Sequence, residues 1–215
     1  MLIEQVQNQL EYLYGIGLPE RAQNYLINKD EALKFLEVPQ KIPKELFLVR
    51  QQEQDTVEVA LFLDGKLLKN LDKHNPFVSL NEKNLSDFCI LIEGVSHFVY
   101  FLWKAYKHHA ITQLEMELQA EIDKFLMLLF YLRGGDTETA ISHQLFEALF
   151  EDFRLFESLT AEKQERYLTA STLAMRYCHR LQKRFANAKD FQSLLNEIRQ
   201  FYNFSQEQKI IHITH

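Results

Sequence analysis

Glycine, proline and cysteine are scarce in this chain. Its 215 residues include 6 glycines, 4 prolines and 2 cysteines. Because glycine and proline provide most tight turns, their scarcity argues against a many-stranded β-sandwich and favours helices. Cys89 and Cys178 lie inside apolar segments with helical spacing, which is typical of buried thiols in a reducing compartment rather than of a disulfide scaffold.

The chain also lacks a long uncharged apolar run and an excess of basic residues. No run approaches the about 18 to 20 apolar residues that a membrane span requires, and the first residues lack the basic and apolar regions of a signal peptide. The formal net charge is −6, whereas phosphate binding depends on clustered lysine and arginine. We therefore expect a cytoplasmic protein without membrane contact, for which nucleic acid is not the default partner.

Motifs that would name a reaction are missing as well. The sequence contains no glycine-rich phosphate loop, no Gly-x-Ser-x-Gly, no Cys-x-x-Cys and no His-Glu-x-x-His. It also lacks the two Glu-x-x-His pairs of ferritin-like di-iron bundles. These absences count against nucleotide hydrolysis, α/β-hydrolase chemistry, thiol redox work and the standard helical metal sites.

The apolar residues that are present predict a predominantly helical α+β protein. Helical spacing of apolar residues covers 1–40 and 85–202, whereas β-branched and aromatic residues dominate 45–50 and 56–63. We therefore predict a single domain, 1–215, with N-terminal helices in 1–40, an antiparallel hairpin in 45–63 and a helical core in 85–202. A two-stranded hairpin is marginal alone, so we expect it to pack on the helices, to pair with an unidentified strand, or to be completed by a second chain in a homodimer.

The N-terminal segment predicts three helices. The first covers 2–14 and ends at Gly15. Pro19 can open a second helix that carries Ala22, Tyr25 and Leu26 inward. Asp30 is a plausible N-cap for a third, short helix that reaches Leu36.

The segment 85–132 is the densest apolar stretch and predicts two long helices joined at a basic bend, 107–109. Thr112, with Glu115 three residues later, has the pattern of a capping box that starts the second helix. A short bend makes the two helices antiparallel neighbours, or nearly so. Each helix carries a polar stripe: Glu93, His97, Tyr100 and Lys104 on the first, and Glu117, Glu121 and Lys124 on the second.

If these stripes face each other, carboxylates and an imidazole converge in the middle of the helices. Such ligands suit zinc, manganese or iron. This interpretation predicts a divalent transition-metal site with Glu93, His97 and Glu121 as ligands and Glu117 as the general base of a metal-dependent hydrolase. The alternative interpretation is that both stripes are ordinary solvent-exposed faces of amphipathic helices. His143 and Glu147, four residues apart, could add further ligands.

A basic stripe stands out in the otherwise acidic chain. Its members follow helical spacing: Arg176, Arg180, Lys183 and Arg184. It could bind phosphate, RNA or an acidic protein partner, unless it pairs within the fold with the acidic residues Glu147, Glu151, Asp152 and Glu157. The exposed edge of the hairpin, 45–63, is the other candidate surface for a protein partner. With no catalytic motif in the sequence, a protein-binding or regulatory module without its own chemistry is the first functional hypothesis, and the metal-dependent hydrolase is the alternative.

Overall fold

A computed structural model describes residues 1–36, 42–51, 56–132, 146, 149–150, 160–184 and 191–215. Within these residues the chain is mostly helical and carries one small mixed sheet, which confirms the predicted fold class. The single domain stays a prediction, although buried side chains from the first helix to the last form one continuous core.

The N-terminal helix α1, Leu2–Tyr14, is confirmed and buries one apolar face. Gly15 ends it in the left-handed conformation with a φ of 63°, which glycine adopts without steric cost. The predicted second helix is wrong: Ala22–Tyr25 is a single 3-10 turn and Leu26–Ile27 is a strand, β1. Helix α2, Lys29–Phe35, is capped by Asn28 rather than by Asp30, because the Asn28 side chain accepts from two backbone N–H groups of the first turn.

The predicted hairpin is confirmed as β2, Glu45–Gln51, and β3, Val57–Leu63, which pair antiparallel with Glu45 opposite Leu63. The strand missing from the sequence prediction is β1, which pairs parallel with the other edge of β3. A strand of two residues is too short to show alternation. Among the described strands β2 has one partner, and the homodimer through this edge stays a prediction.

Within the described residues, five helices lie between the sheet and the final helix. They are α3, Gly65–Lys73; α4, Leu85–Tyr106; α5, Gln113–Leu132; α6, Ala161–Arg184; and α7, Phe191–Asn203. Helix α3 starts at Asp64, whose carboxylate accepts the backbone N–H of Lys66 at 2.7 Å. The final helix, α8, Gln206–Thr214, begins at a capping box that Ser205 and Gln208 form. The apolar spacing of 142–156 also predicts a helix, and this segment lies largely outside the described residues.

Helix α4 lies at the centre of the fold. It contacts α1, α3, α5 and both long strands, and Phe88, Leu91, Val95 and Phe98 are fully buried. Burying each such side chain contributes roughly 1.5–3 kcal/mol. By length and composition alone α4 could cross a membrane, but 56% of its most apolar window is buried inside the protein, and a core helix passes the same test. The cytoplasmic location stays a prediction.

Candidate metal centre

The bend between α4 and α5 makes the two helices antiparallel. His108 adopts a left-handed φ of 54°, and the Glu115 N–H donates to Thr112 Oγ1 at 3.1 Å to start α5. The Glu115 carboxylate does not complete a capping box. It points into the core, where it accepts the Tyr100 hydroxyl and lies 2.9 Å from Lys104 Nζ. These buried contacts fix how α5 lies along α4.

The antiparallel arrangement brings the two polar stripes together. Glu93, His97 and Glu117 each offer a ligand atom, and these three atoms lie within 4.8 Å of one another. Within this group, His97 Nε2 lies 3.6 Å from Glu117 Oε2. Where His97 and Glu117 meet, the stripes are not solvent-exposed faces, because the two side chains are only 8% and 11% exposed.

A fourth residue, Glu45, comes from the sheet. It is the first residue of β2, and its Oε1 lies 3.5 Å from His97 Nδ1. The His97 ring therefore has a carboxylate at each nitrogen, Glu45 on one side and Glu117 on the other. Both separations are long for hydrogen bonds, and His97 Nε2 and Glu45 Oε1 are buried atoms without a close hydrogen-bond partner. A buried polar atom without a partner is costly, and here it faces other potential ligand atoms.

Glu121, the predicted third ligand, faces a lysine instead. Lys124 Nζ lies 2.6 Å from Glu121 Oε1 and 3.2 Å from Glu93 Oε2. The ammonium thus neutralises one side of the cluster while Glu117 occupies the position next to His97. The structure brings Glu93, His97 and Glu117 together, and Glu121 is linked to them through Lys124.

Burial and the neighbouring carboxylates shift the pKa values of several residues in the cluster. Burial lowers the pKa of His97, but Glu117 and Glu45 outweigh it and hold that pKa well above the usual value. Burial raises the pKa of Glu45 and of Glu121, and neighbouring carboxylates raise both further. Burial also favours the neutral form of Glu93, but Lys124 and His97 lower its pKa overall. The carboxylates in this cluster outnumber its two cationic side chains, so a proton or a metal ion would relieve the excess charge.

Helix α6 supplies Tyr167 to the same cluster. Burial raises the pKa of its hydroxyl, and so do the charges of Glu117, Glu93 and Glu45 together with a hydrogen bond to Glu117. No sequence signal points to Glu45 or Tyr167. Each lies far along the chain from the central helices, one in a strand and one in a helix without a recognisable motif.

Of the other sequence candidates, those that lie within the described residues do not join the cluster. His108 and His109 are exposed at the bend, and His143 and Glu147 lie outside the described residues. Arg176, Lys183 and Arg184 of the basic stripe are exposed on α6 and Arg180 is half-buried. The acidic residues predicted to pair with the stripe (147, 151, 152 and 157) also lie outside the described residues.

Comparison with known proteins assigns no role to the cluster. No family model matches the chain, and neither a curated protein nor a solved structure matches it.

Proposed function

We propose that this protein binds a divalent transition-metal ion through Glu93, His97 and Glu117 and is a metal-dependent hydrolase. The observation that carries the proposal is the buried, unpartnered Nε2 of His97, which faces Glu117 Oε2 at 3.6 Å with a Glu93 oxygen within 4.8 Å. Imidazole and carboxylate together suit zinc, manganese or iron.

The number of ligands supports chemistry rather than a purely structural ion. Structural zinc sites use four protein ligands, whereas catalytic sites use three and keep a position for water or substrate. A metal ion held by three ligands would activate a bound water for hydrolysis. Three ligand atoms from two helices, α4 and α5, fit the catalytic pattern.

Within this proposal Glu117 and Glu121 exchange the roles that the sequence predicts. Glu117, next to His97, is a ligand. Burial raises the pKa of Glu121, and the charges of Glu93 and Glu117 raise it further, which makes this carboxylate the candidate general base. Lys124, 2.6 Å away, orients that carboxylate.

The test is zinc binding by protein purified without chelator, measured by elemental analysis and by calorimetric titration. We expect Glu93→Gln, His97→Ala and Glu117→Gln each to weaken zinc binding at least tenfold while the protein stays folded by circular dichroism. Glu121→Gln should retain zinc and lose hydrolytic activity. Glu165→Gln, an exposed position on α6, serves as the control. Zinc affinity that is unchanged in His97→Ala and Glu117→Gln would contradict the proposal.

We infer a second candidate function, binding of an acidic protein partner, from the basic stripe on α6. Arg176 and Lys183 are exposed, and they lie seven residues apart on one face of the helix. Arg184 forms an ion pair with Glu197 at 3.4 Å, so its charge is partly neutralised within the fold. Electrostatic attraction of an acidic partner to this stripe would therefore depend mainly on Arg176 and Lys183.

The test of this second function is charge reversal. We expect the pair Arg176→Glu and Lys183→Glu to abolish co-purification of a partner while the melting temperature stays near that of the unaltered protein. Lys163→Glu, also exposed on α6, is the matched control and should retain the partner. A partner that co-purifies equally with all variants excludes the stripe as its binding surface.

A further inference from the structure

The carboxylate of Glu45 lies on the side of His97 opposite to Glu117. Glu45 Oε1 is 3.5 Å from Nδ1, whereas Glu117 Oε2 is 3.6 Å from Nε2. Glu45 is held at the start of β2 by antiparallel pairing with Leu63, and its side chain is 12% exposed. The sheet therefore places one carboxylate against the nitrogen of His97 that does not face the proposed metal ligands.

Gly94 makes room for this carboxylate. A glycine inside a helix costs about 1 kcal/mol relative to alanine, and Gly94 lies in the interior of α4 between Glu93 and His97. A Cβ at this position would lie 2.8 Å from Glu45 Cγ and 3.1 Å from Leu61 Cδ1. The first distance is too short for carbon atoms, so any larger residue at 94 would displace the Glu45 side chain.

We propose that Glu45 is a positioning residue for His97 and that Gly94 provides the clearance it requires. When a metal ion takes the place of the proton on Nε2, Glu45, whose Oε1 lies 3.5 Å from Nδ1, would accept the Nδ1–H of His97 and keep Nε2 directed towards Glu93 and Glu117. A histidine that binds a metal through one nitrogen commonly donates its other N–H to a carboxylate, which fixes the ring and increases its basicity. This inference rests on the proposed metal site and names two residues that the site needs but that are not ligands.

The role of Glu45 predicts a graded response to substitution. Loss of such a supporting carboxylate typically weakens metal binding 10–100-fold. We expect Glu45→Gln, which keeps the shape and removes the charge, and Glu45→Ala to weaken zinc binding in this range. Glu45→Asp keeps the charge and should restore part of the affinity.

The role of Gly94 is tested with a matched glycine. Gly94→Ala should weaken zinc binding about tenfold, whereas Gly65→Ala should leave it unchanged because a Cβ at Gly65 meets no atom within 4 Å. In the Glu45→Ala background, which has no Cγ to displace, Gly94→Ala should cause little further loss. Such non-additivity separates clearance for Glu45 from a general disturbance of α4.

The experiment is calorimetric titration of each variant with zinc alone, together with ¹⁵N NMR of the His97 ring in the zinc-loaded protein. The expected spectrum shows a protonated Nδ1 and a zinc-bound Nε2, and Glu45→Gln should alter the Nδ1 resonance while the backbone spectrum stays that of the folded protein. If the unaltered protein binds zinc and both Glu45→Gln and Gly94→Ala bind it equally well, the positioning role is overturned and the metal site stands. If the unaltered protein binds no zinc, the proposed function itself fails.

Discussion

The ammonium group of Lys124 lies between two buried carboxylates. Its Nζ contacts Glu121 Oε1 and Glu93 Oε2, and both acids and Lys124 keep at least three quarters of their side chains away from solvent. A buried carboxylate that loses its counter-ion is strongly destabilising. Lys124 therefore stabilises the cluster without metal, and it would compete for the charge of Glu93 with a metal ion at the proposed site.

Substitution of Lys124 separates these two effects. We expect Lys124→Gln to lower the free energy of unfolding by roughly 3 kcal/mol in the presence of chelator, because Glu93 and Glu121 lose their counter-ion. Zinc should recover much of this loss, since the ion supplies the missing positive charge. Urea unfolding with chelator and with zinc measures both quantities, and the exposed Lys163→Gln is the control. An equal loss under the two conditions would show that the ion does not share these carboxylates.

The C-terminal helix α8 docks through a buried lysine. Lys209 Nζ donates to the Tyr100 hydroxyl and to Gln119 Oε1, both at 2.7 Å, and Gln119 Nε2 donates to Asp123 Oδ1 at 2.8 Å. Burial lowers the pKa of Lys209 to about 7, with Lys104 lowering it further and Glu115 and Asp123 opposing. The fold thus keeps this helix in place with a group that titrates near neutral pH.

The lowered pKa predicts how stability changes with pH. Between the pKa of about 7 in the folded protein and the ordinary value of 10.5, the unfolded chain holds a proton that the folded protein has released. The free energy of unfolding should therefore rise with pH above neutrality, by up to about 1.4 kcal/mol per pH unit from this group, and the contribution is lost as pH falls through 7. Urea titrations from pH 7 to 9.5 measure the slope.

Lys209→Met should flatten that slope, whereas Lys163→Met, at an exposed position on α6, should preserve it. A slope that is identical in Lys209→Met and in the unaltered protein would assign the pH dependence to other groups. The comparison does not require the two variants to have equal stability at pH 7, because only the change with pH is compared.

Prediction succeeded for those elements whose apolar pattern is long enough to repeat. Helices α1, α4 and α5 and the hairpin follow their patterns, since each buries a regular face. It failed at Leu26–Ile27, where two residues pair with β3 because of tertiary packing. The predicted N-cap of α2, Asp30, was also wrong. Asn28 caps this helix because its side chain accepts hydrogen bonds from two free backbone N–H groups.

The proposed metal site joins parts of the chain that are distant in sequence. Its ligands come from α4 and α5, Glu45 comes from β2, and Tyr167 from α6 contacts Glu117. A ligand that binds only the folded protein raises the free energy of unfolding, and the gain grows with the logarithm of the ligand concentration relative to the dissociation constant. A metal ion at this site would consequently stabilise the packing of the sheet and of α6 against the central helices.

Added zinc should therefore stabilise the whole molecule. At a free concentration about 100 times its dissociation constant, the free energy of unfolding should rise by about 2.7 kcal/mol. Chelator should reverse the gain, and His97→Ala should show none of it. Calorimetric unfolding of the metal-free and zinc-loaded proteins measures the difference. An equal gain in His97→Ala would place the stabilising ion at another position.

Local patterns were sufficient for the helical class, the hairpin, the two central helices and the identity of the polar stripes, because hydrophobic periodicity and capping depend on neighbours a few residues away. Packing between distant segments decided the rest. It made the two stripes face each other, placed Glu117 instead of Glu121 beside His97, and let Glu45 occupy the space left by Gly94. A side chain's burial and charge partners are set by such packing. No spacing within a single helix encodes them.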